Sequence, residues 1–160
     1  MSYDSEALAG FDAYFGRILA GLSPSRRRRA TLKLGQALRR ANVERIAANE
    51  QPDGTAMEPR KARKDRRGRL RKRAGGRMFR KLRQAKKWRI DAQPDSVEIT
   101  ATGNQRIAAQ HQFGEEGVVG QGPDGRRIKH RYTARRLLGF GPGDEREALR
   151  VAEEMLGLDG

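Results

Sequence analysis

Between Arg60 and Arg89 the chain places seventeen lysines and arginines against a single acid, Asp65. Such density constrains folding more than any other feature of the sequence, because like charges repel and the stretch offers little to bury. From Arg60 to Arg73, Leu70 is the only large apolar side chain. A segment of that composition is expected to form an extended, mobile arm, here at about residues 55–76, rather than part of a core. The rest of the chain must supply the fold. Charge is otherwise distributed in blocks: both ends are net acidic, the middle is intensely basic, and the whole carries +15. An excess of that size points to an anionic partner, either nucleic acid or an acidic protein surface, and says little about fold.

Around the arm, periodicity marks the elements. Leu8, Phe11, Phe15, Ile18 and Leu22 recur at helical steps. Ser23-Pro24 then reads as a helix start, and Ala30, Leu34, Ala37, Leu38, Ala41 and Ile46 give a second helix a narrow apolar face as far as about Asn49. Arg26, Arg27, Arg28 and Arg29 fall in its first turn, where the helix dipole disfavours cations. Either an outside anion or solvent is expected to meet them. Gln51-Pro52-Asp53-Gly54 carries strong turn chemistry. After Gly75-Gly76, the spacing of Met78, Phe79, Leu82 and Ala85 predicts a short helix from Arg77 to about Lys87.

From Trp88 the period becomes two. Trp88, Ile90 and Ala92, then Val97, Ile99 and Ala101, flank Pro94-Asp95 as a hairpin would. A helical turn over Gln105–His111 should turn Ile107 and Ala108 inward. Val118-Val119 and Ile128 to Tyr132 flank a glycine-rich tip and predict a second hairpin, and Leu137 to Phe140 a final short strand. Pro142-Gly143-Asp144 opens a C-terminal helix with Ala148, Val151, Ala152, Met155 and Leu156 inward and Gly157 as its stop. The result is a single α+β domain over residues 1–160: two N-terminal helices, the basic arm, a short helix, a small antiparallel sheet and a closing helix.

Chemistry has little foothold. There is no cysteine, which removes disulfides and thiolate zinc sites. His111 and His130 are not spaced as a metal pair, no serine sits in an elbow motif, and Glu115-Glu116 and Glu153-Glu154 read as solvated charge. Gly120, Gly122 and Gly125 match G-x-G-x-x-G, but Pro123-Asp124-Gly125 is a turn and a strand follows, so no helix N-terminus is positioned for a pyrophosphate. No catalytic residue, metal or cofactor is expected. No apolar run approaches the ~20 residues of a membrane span, and the start of the chain does not read as a signal peptide.

Arg60, Lys61, Arg63, Lys64, Arg66, Arg67, Arg69, Arg71, Lys72 and Arg73 remain as contacts for DNA or for a neighbouring subunit. Phosphate binding draws on such density through counterion release. Without interleaved aromatics for base stacking, any nucleic-acid contact should be sequence-nonspecific. A nucleic-acid-binding module built on the arm is therefore one reading of the chain.

Four segments in order support another. Asn42-Val43-Glu44-Arg45-Ile46 leading into Pro52-Asp53-Gly54 resembles an N-x-x-R-I…P-D-G signature, and Met78-Phe79-Arg80-Lys81-Leu82 an M-F-x-K-L segment. Ala108-Ala109-Gln110-His111-Gln112-Phe113-Gly114 is similar to A-x-x-H-Q-[FY]-G, and Tyr132 to Phe140, with Arg135, Leu138 and Gly139, to Y-x-x-R-x-L-L-G-[FL]. Together they resemble the virion morphogenesis, or tail completion, family of contractile-tailed bacteriophages over about residues 5–157. Met57 stands where an aromatic would be expected. The resemblance implies a non-enzymatic assembly protein of the virion, made in the host cytoplasm, that completes the tail at its neck end. It further implies a homo-hexameric ring against the tail tube or sheath end and the connector proteins, with DNA in the channel as a possible neighbour of the arm and no membrane partner.

Overall fold

A computed structural model describes residues 9–10, 13–17, 19–60, 67–69 and 78–157. The long helix α1, Pro24–Ala48, organises the rest. Proline at its first position lacks only an N–H that no helix could use there. At its other end Asn49 turns left-handed (φ 59°) and its N–H reaches the carbonyls of Arg45 and Ile46. Of the four arginines in the first turn, three reach acceptors within the chain, while Arg29 is exposed. Arg26 Nη2 donates to the Met155 carbonyl at 3.0 Å, Arg28 Nε donates to the Ala92 carbonyl at 3.0 Å, and Arg27 pairs with Asp95 at 2.9 Å. Acceptors from distant parts of the chain offset the unfavourable dipole.

Three elements pack on α1. Residues 13–17 and 19–20 are helical and bury Phe15 and Leu19. Helix α3, Pro142–Leu156, adds Ala148, Val151, Ala152 and Met155 to the same apolar cluster as Ala30, Leu34 and Ala37 of α1. Leu8, Phe11 and Ile18 lie outside the described residues, as does the side chain of Leu156. The antiparallel hairpin of β1, Trp88–Ala92, and β2, Val97–Ala101, lies across α1 in the register Trp88↔Ala101 to Ala92↔Val97. Gly35 makes this close approach possible: a Cβ there would fall 2.6 Å from Val97 Cγ2 and 2.8 Å from Ile90 Cγ2.

A second apolar cluster joins Ile46 near the end of α1 to Met57, Met78, Phe79, Leu82, Trp88, Ala101, Ala108 and Leu137. Trp88 is 2% exposed and its indole donates to the Leu82 carbonyl at 2.7 Å. The helix expected over 77–87 is far shorter than the spacing suggests. Met78 to Arg83 form turns, with Phe79 in the left-handed region (φ 55°), and only the 3-10 turn Ala85–Lys87 is helical. A left-handed residue cannot continue an α-helix. Met78, Phe79 and Leu82 still reach the core, whereas Ala85 is exposed.

Helix α2, Gln105–Phe113, buries Ala108 and Gln110, while Ile107, expected inward, is 49% exposed. Strands β3, Glu116–Gln121, and β4, Arg127–Arg131, form the second hairpin, with a register shift between Val118 and Gly120. Its tip is the turn at Gly122–Gly125, and a strand, not a helix, follows the three glycines. No strand forms at Leu137–Phe140, because side chains of other elements take up the amides a partner strand would have used. The architecture is α+β: helices around two small antiparallel sheets, with a helix at the C-terminal end.

Candidate functional site

Three of the four motif segments converge on one junction beside the end of α1. From α1 comes Asn42, buried, whose Nδ2 donates to the Leu38 carbonyl at 2.8 Å and whose Oδ1 accepts the Gly139 amide at 3.1 Å. The Pro52-Asp53-Gly54 turn follows. Gly54 has φ +82°, a value glycine adopts freely, and its amide bonds to the Gln51 carbonyl at 2.9 Å. Asp53 accepts from the Thr55 hydroxyl at 2.6 Å and amide at 3.0 Å and pairs with Arg136; the Thr55 bonds and then Arg136 hold its carboxyl below the usual range.

The end of α2 closes the junction through Gln112. Its Oε1 accepts the amides of Leu137 (2.8 Å) and Leu138 (3.0 Å), and its Nε2 donates to the Leu138 carbonyl at 2.9 Å. One amide side chain thus replaces a partner strand for the 137–138 segment. Gly139 then passes directly over Pro52, where a Cβ would lie 2.6 Å from Cγ and 2.8 Å from Cβ of the proline ring. Beyond it, buried Asp144 accepts the Gly141 amide at 2.8 Å and pairs with Arg45 of α1 at 2.8 Å, which ties the start of α3 to the same place.

Arg135 is the second hub. Nearly fully buried, it donates through Nε to the Glu58 carbonyl (2.6 Å) and through Nη2 to the Pro59 carbonyl (3.2 Å). Its backbone amide bonds to the His111 carbonyl at 2.6 Å, and Nη1 lies 3.4 Å from His111 Nδ1. Burial, then Arg135 and Arg60, push the His111 imidazole down to about 4, so it is neutral at physiological pH. Its ring meets Phe79 and Tyr132 edge to face at 4.8 and 4.9 Å. His130 contacts the other side chain of that pair, Tyr132, at 5.1 Å, so both imidazoles pack on one aromatic ring. Among the described residues, no group of three carboxylates or imidazoles is placed to hold a metal ion. No described helix is long and apolar enough to cross a membrane.

Pro52, Asp53, Gly54, His111, Gln112, Arg135, Leu138 and Gly139 therefore stand together. Gly114 belongs with them: it is left-handed (φ +68°), and a Cβ there would lie 3.2 Å from both the Cβ and the amide nitrogen of Ala134. Phe113 departs from its neighbours, being 70% exposed. Met57, where an aromatic was expected, is buried in the second cluster. Asn42 and Arg45, the first and fourth positions of the N-x-x-R-I signature, are equal members of the junction, and so is Gln51, whose Oε1 accepts the Arg136 amide at 3.1 Å. Of the arm, Arg60, Arg67 and Arg69 are described, and Arg60 lies close enough to His111 to act on it. Lys61, Arg63, Lys64, Arg66, Arg71, Lys72 and Arg73 lie outside the described residues.

Residues 7–157 match the phage virion morphogenesis family. Tail completion protein S of Escherichia phage P2 is 37% identical over 129 residues, covering 77% of this chain and 79% of that protein. No solved structure gives a significant match.

Proposed function

Since the chain belongs to the phage virion morphogenesis family, we propose that it is a structural, non-catalytic component of the virion that completes the tail and prepares it to join the filled head. The observation that carries this reading is its identity to a tail completion protein over most of both chains. The junction supports the same reading, since its polar atoms are consumed in holding segments of the chain together, as a rigid building block requires.

The finer reading is a homo-hexameric ring at the neck end of the tail, in contact with the tail tube or sheath end on one side and connector proteins on the other. The end of a growing tube presents unpaired surface. A ring with head-to-tail interfaces closes on itself, covers that surface and presents a new face. The chain is then made in the host cytoplasm and carried into the virion.

Mass measured by multi-angle light scattering after size exclusion, at ~50 and ~500 mM salt, tests the ring, because weak exposed ion pairs are screened over that range. A discrete species of about six chains is expected. Purified tails lacking this component test the function itself. Adding the chain should let them join filled heads and yield infectious particles, and tails that join equally well without it would refute the reading.

A further inference from the structure

The second hairpin has an outward face that the junction does not use. In the register Glu116↔Arg131, Val118↔Lys129 and Gln121↔Arg127, alternate residues of β4 share a face. Arg127, Lys129 and Arg131 therefore form one row. The opposite face carries Gly117, His130 and Ile128, and Gly117 packs against Gln110 and Tyr132, where a Cβ would fall 2.4 and 2.8 Å from those side chains. That contact turns the opposite face toward the body of the protein and the cationic row away from it. Every residue of β4 is exposed.

We propose that this row is a binding surface for the phosphate backbone of duplex DNA, without sequence preference. None of the three cations forms an ion pair with a carboxylate among the described residues; the acid on the same face, Glu116, sits opposite Arg131 without pairing. Several other basic residues are engaged within the fold, as Arg26, Arg27, Arg28, Arg45 and Arg135 are. Alternate residues of an antiparallel strand stand about 6.8 Å apart. Successive phosphates of one DNA strand rise about 3.4 Å along the axis and also wind around it, so their direct separation of about 7 Å matches the spacing of the row. A two-stranded ribbon also has the width of the major groove.

No aromatic side chain stands on the outward face to stack an unpaired base, which favours a duplex over a single strand. A second copy of the chain is the poorer complement. The acids of α3 are mostly taken, Asp144 by Arg45, Glu147 by Arg150 and Glu154 by Lys33.

The full chain titrated with a fluorescent duplex at several salt concentrations decides the matter. In the Arg127→Ala/Lys129→Ala/Arg131→Ala variant the slope of log affinity against log salt should shrink by about 2–3, since each phosphate contact adds about 0.9. Affinity at low salt should fall at least tenfold. The charge-keeping Arg127→Lys/Arg131→Lys variant should keep the parent slope. The arm is separated by repeating the comparison in an Arg69→Ala/Arg71→Ala/Lys72→Ala/Arg73→Ala background, where the hairpin's effect must persist. A parent-like slope in the hairpin variant overturns the proposal. So does failure of the parent chain to bind duplex at low salt, or equal binding of polyglutamate, which would assign the row to an acidic protein. None of these results alters the oligomeric mass or the joining of tails to heads, which test the tail-completion reading separately.

Discussion

Helix α2, which carries Gln112, and the hairpin β3–β4 are separated by one glycine and one glutamate, yet the junction around Gln112 and the hairpin are built in opposite ways. At the junction, side chains of α1, the Pro52 turn and α2 spend their hydrogen bonds on a segment that has no strand partner. In the hairpin, the two strands pair with each other and every residue of β4 is exposed. Three of the four motif segments meet in the first region, with Phe113 largely exposed, and the fourth lends Met78, Phe79 and Leu82 to the second apolar cluster. The difference teaches that these motifs specify how the chain is held together, and that the surface on which partners act is to be sought elsewhere.

Substitutions can break that contrast. The largest effect is expected from Gln112→Ala, which strands the amides of Leu137 and Leu138. With about 1–3 kcal/mol for each buried unsatisfied group, a loss of about 2–4 kcal/mol should appear in urea denaturation. Gly139→Ala should cost about 1–3 kcal/mol by the same measurement, since neither Pro52 nor the backbone near it can yield easily.

His111 supplies a pH test of intermediate size. Unfolded, its imidazole takes up a proton near the ordinary 6.5; folded, it stays neutral down to about 4. Stability should therefore fall as pH drops from 6.5 towards 4, with no further loss from this group below that. Thermal melts of a His111→Gln variant should show a flatter dependence than the parent between pH 6.5 and 5, above the range in which Asp53 and Glu147, both shifted downward, begin to titrate. The smallest effect belongs to the hairpin. Val119→Thr or Ile128→Thr should change stability by about 0.5 kcal/mol or less, because both side chains are half exposed and lose little packing. A loss comparable to that of Gln112→Ala would erase the contrast.

Much of the framework was legible from local pattern. The 3.6-residue period of α1 and α3 and the period of two in the first hairpin coincide with the elements formed, and Pro24, Asn49, Gly125 and Gly157 act at the ends and turns where their backbone preferences place them. Failures occur where a distant group decides. Residues 77–87 carry helical spacing, but Phe79 turns left-handed as the segment folds over the second apolar cluster. Ile107 has the character of a core residue, yet the face that α2 buries carries Ala108 and Gln110. Leu137 to Phe140 have the residues of a strand, and Gln112, more than twenty positions earlier, supplies the bonds instead. The partners of Arg26 and Arg28 lie 129 and 64 residues away. For the junction, resemblance identified most of the residues but not what they do to one another. Only the fold shows that Gly139 must be glycine because Pro52 lies beneath it.

Native-state amide hydrogen exchange, resolved by mass spectrometry, tests the division of labour most directly. Peptides covering the junction at 108–114 and 134–141 should exchange only through opening close to global unfolding, while those covering 116–131 should exchange orders of magnitude faster through local opening. Equal protection of the two regions, or a hairpin slower than the junction, would contradict the account.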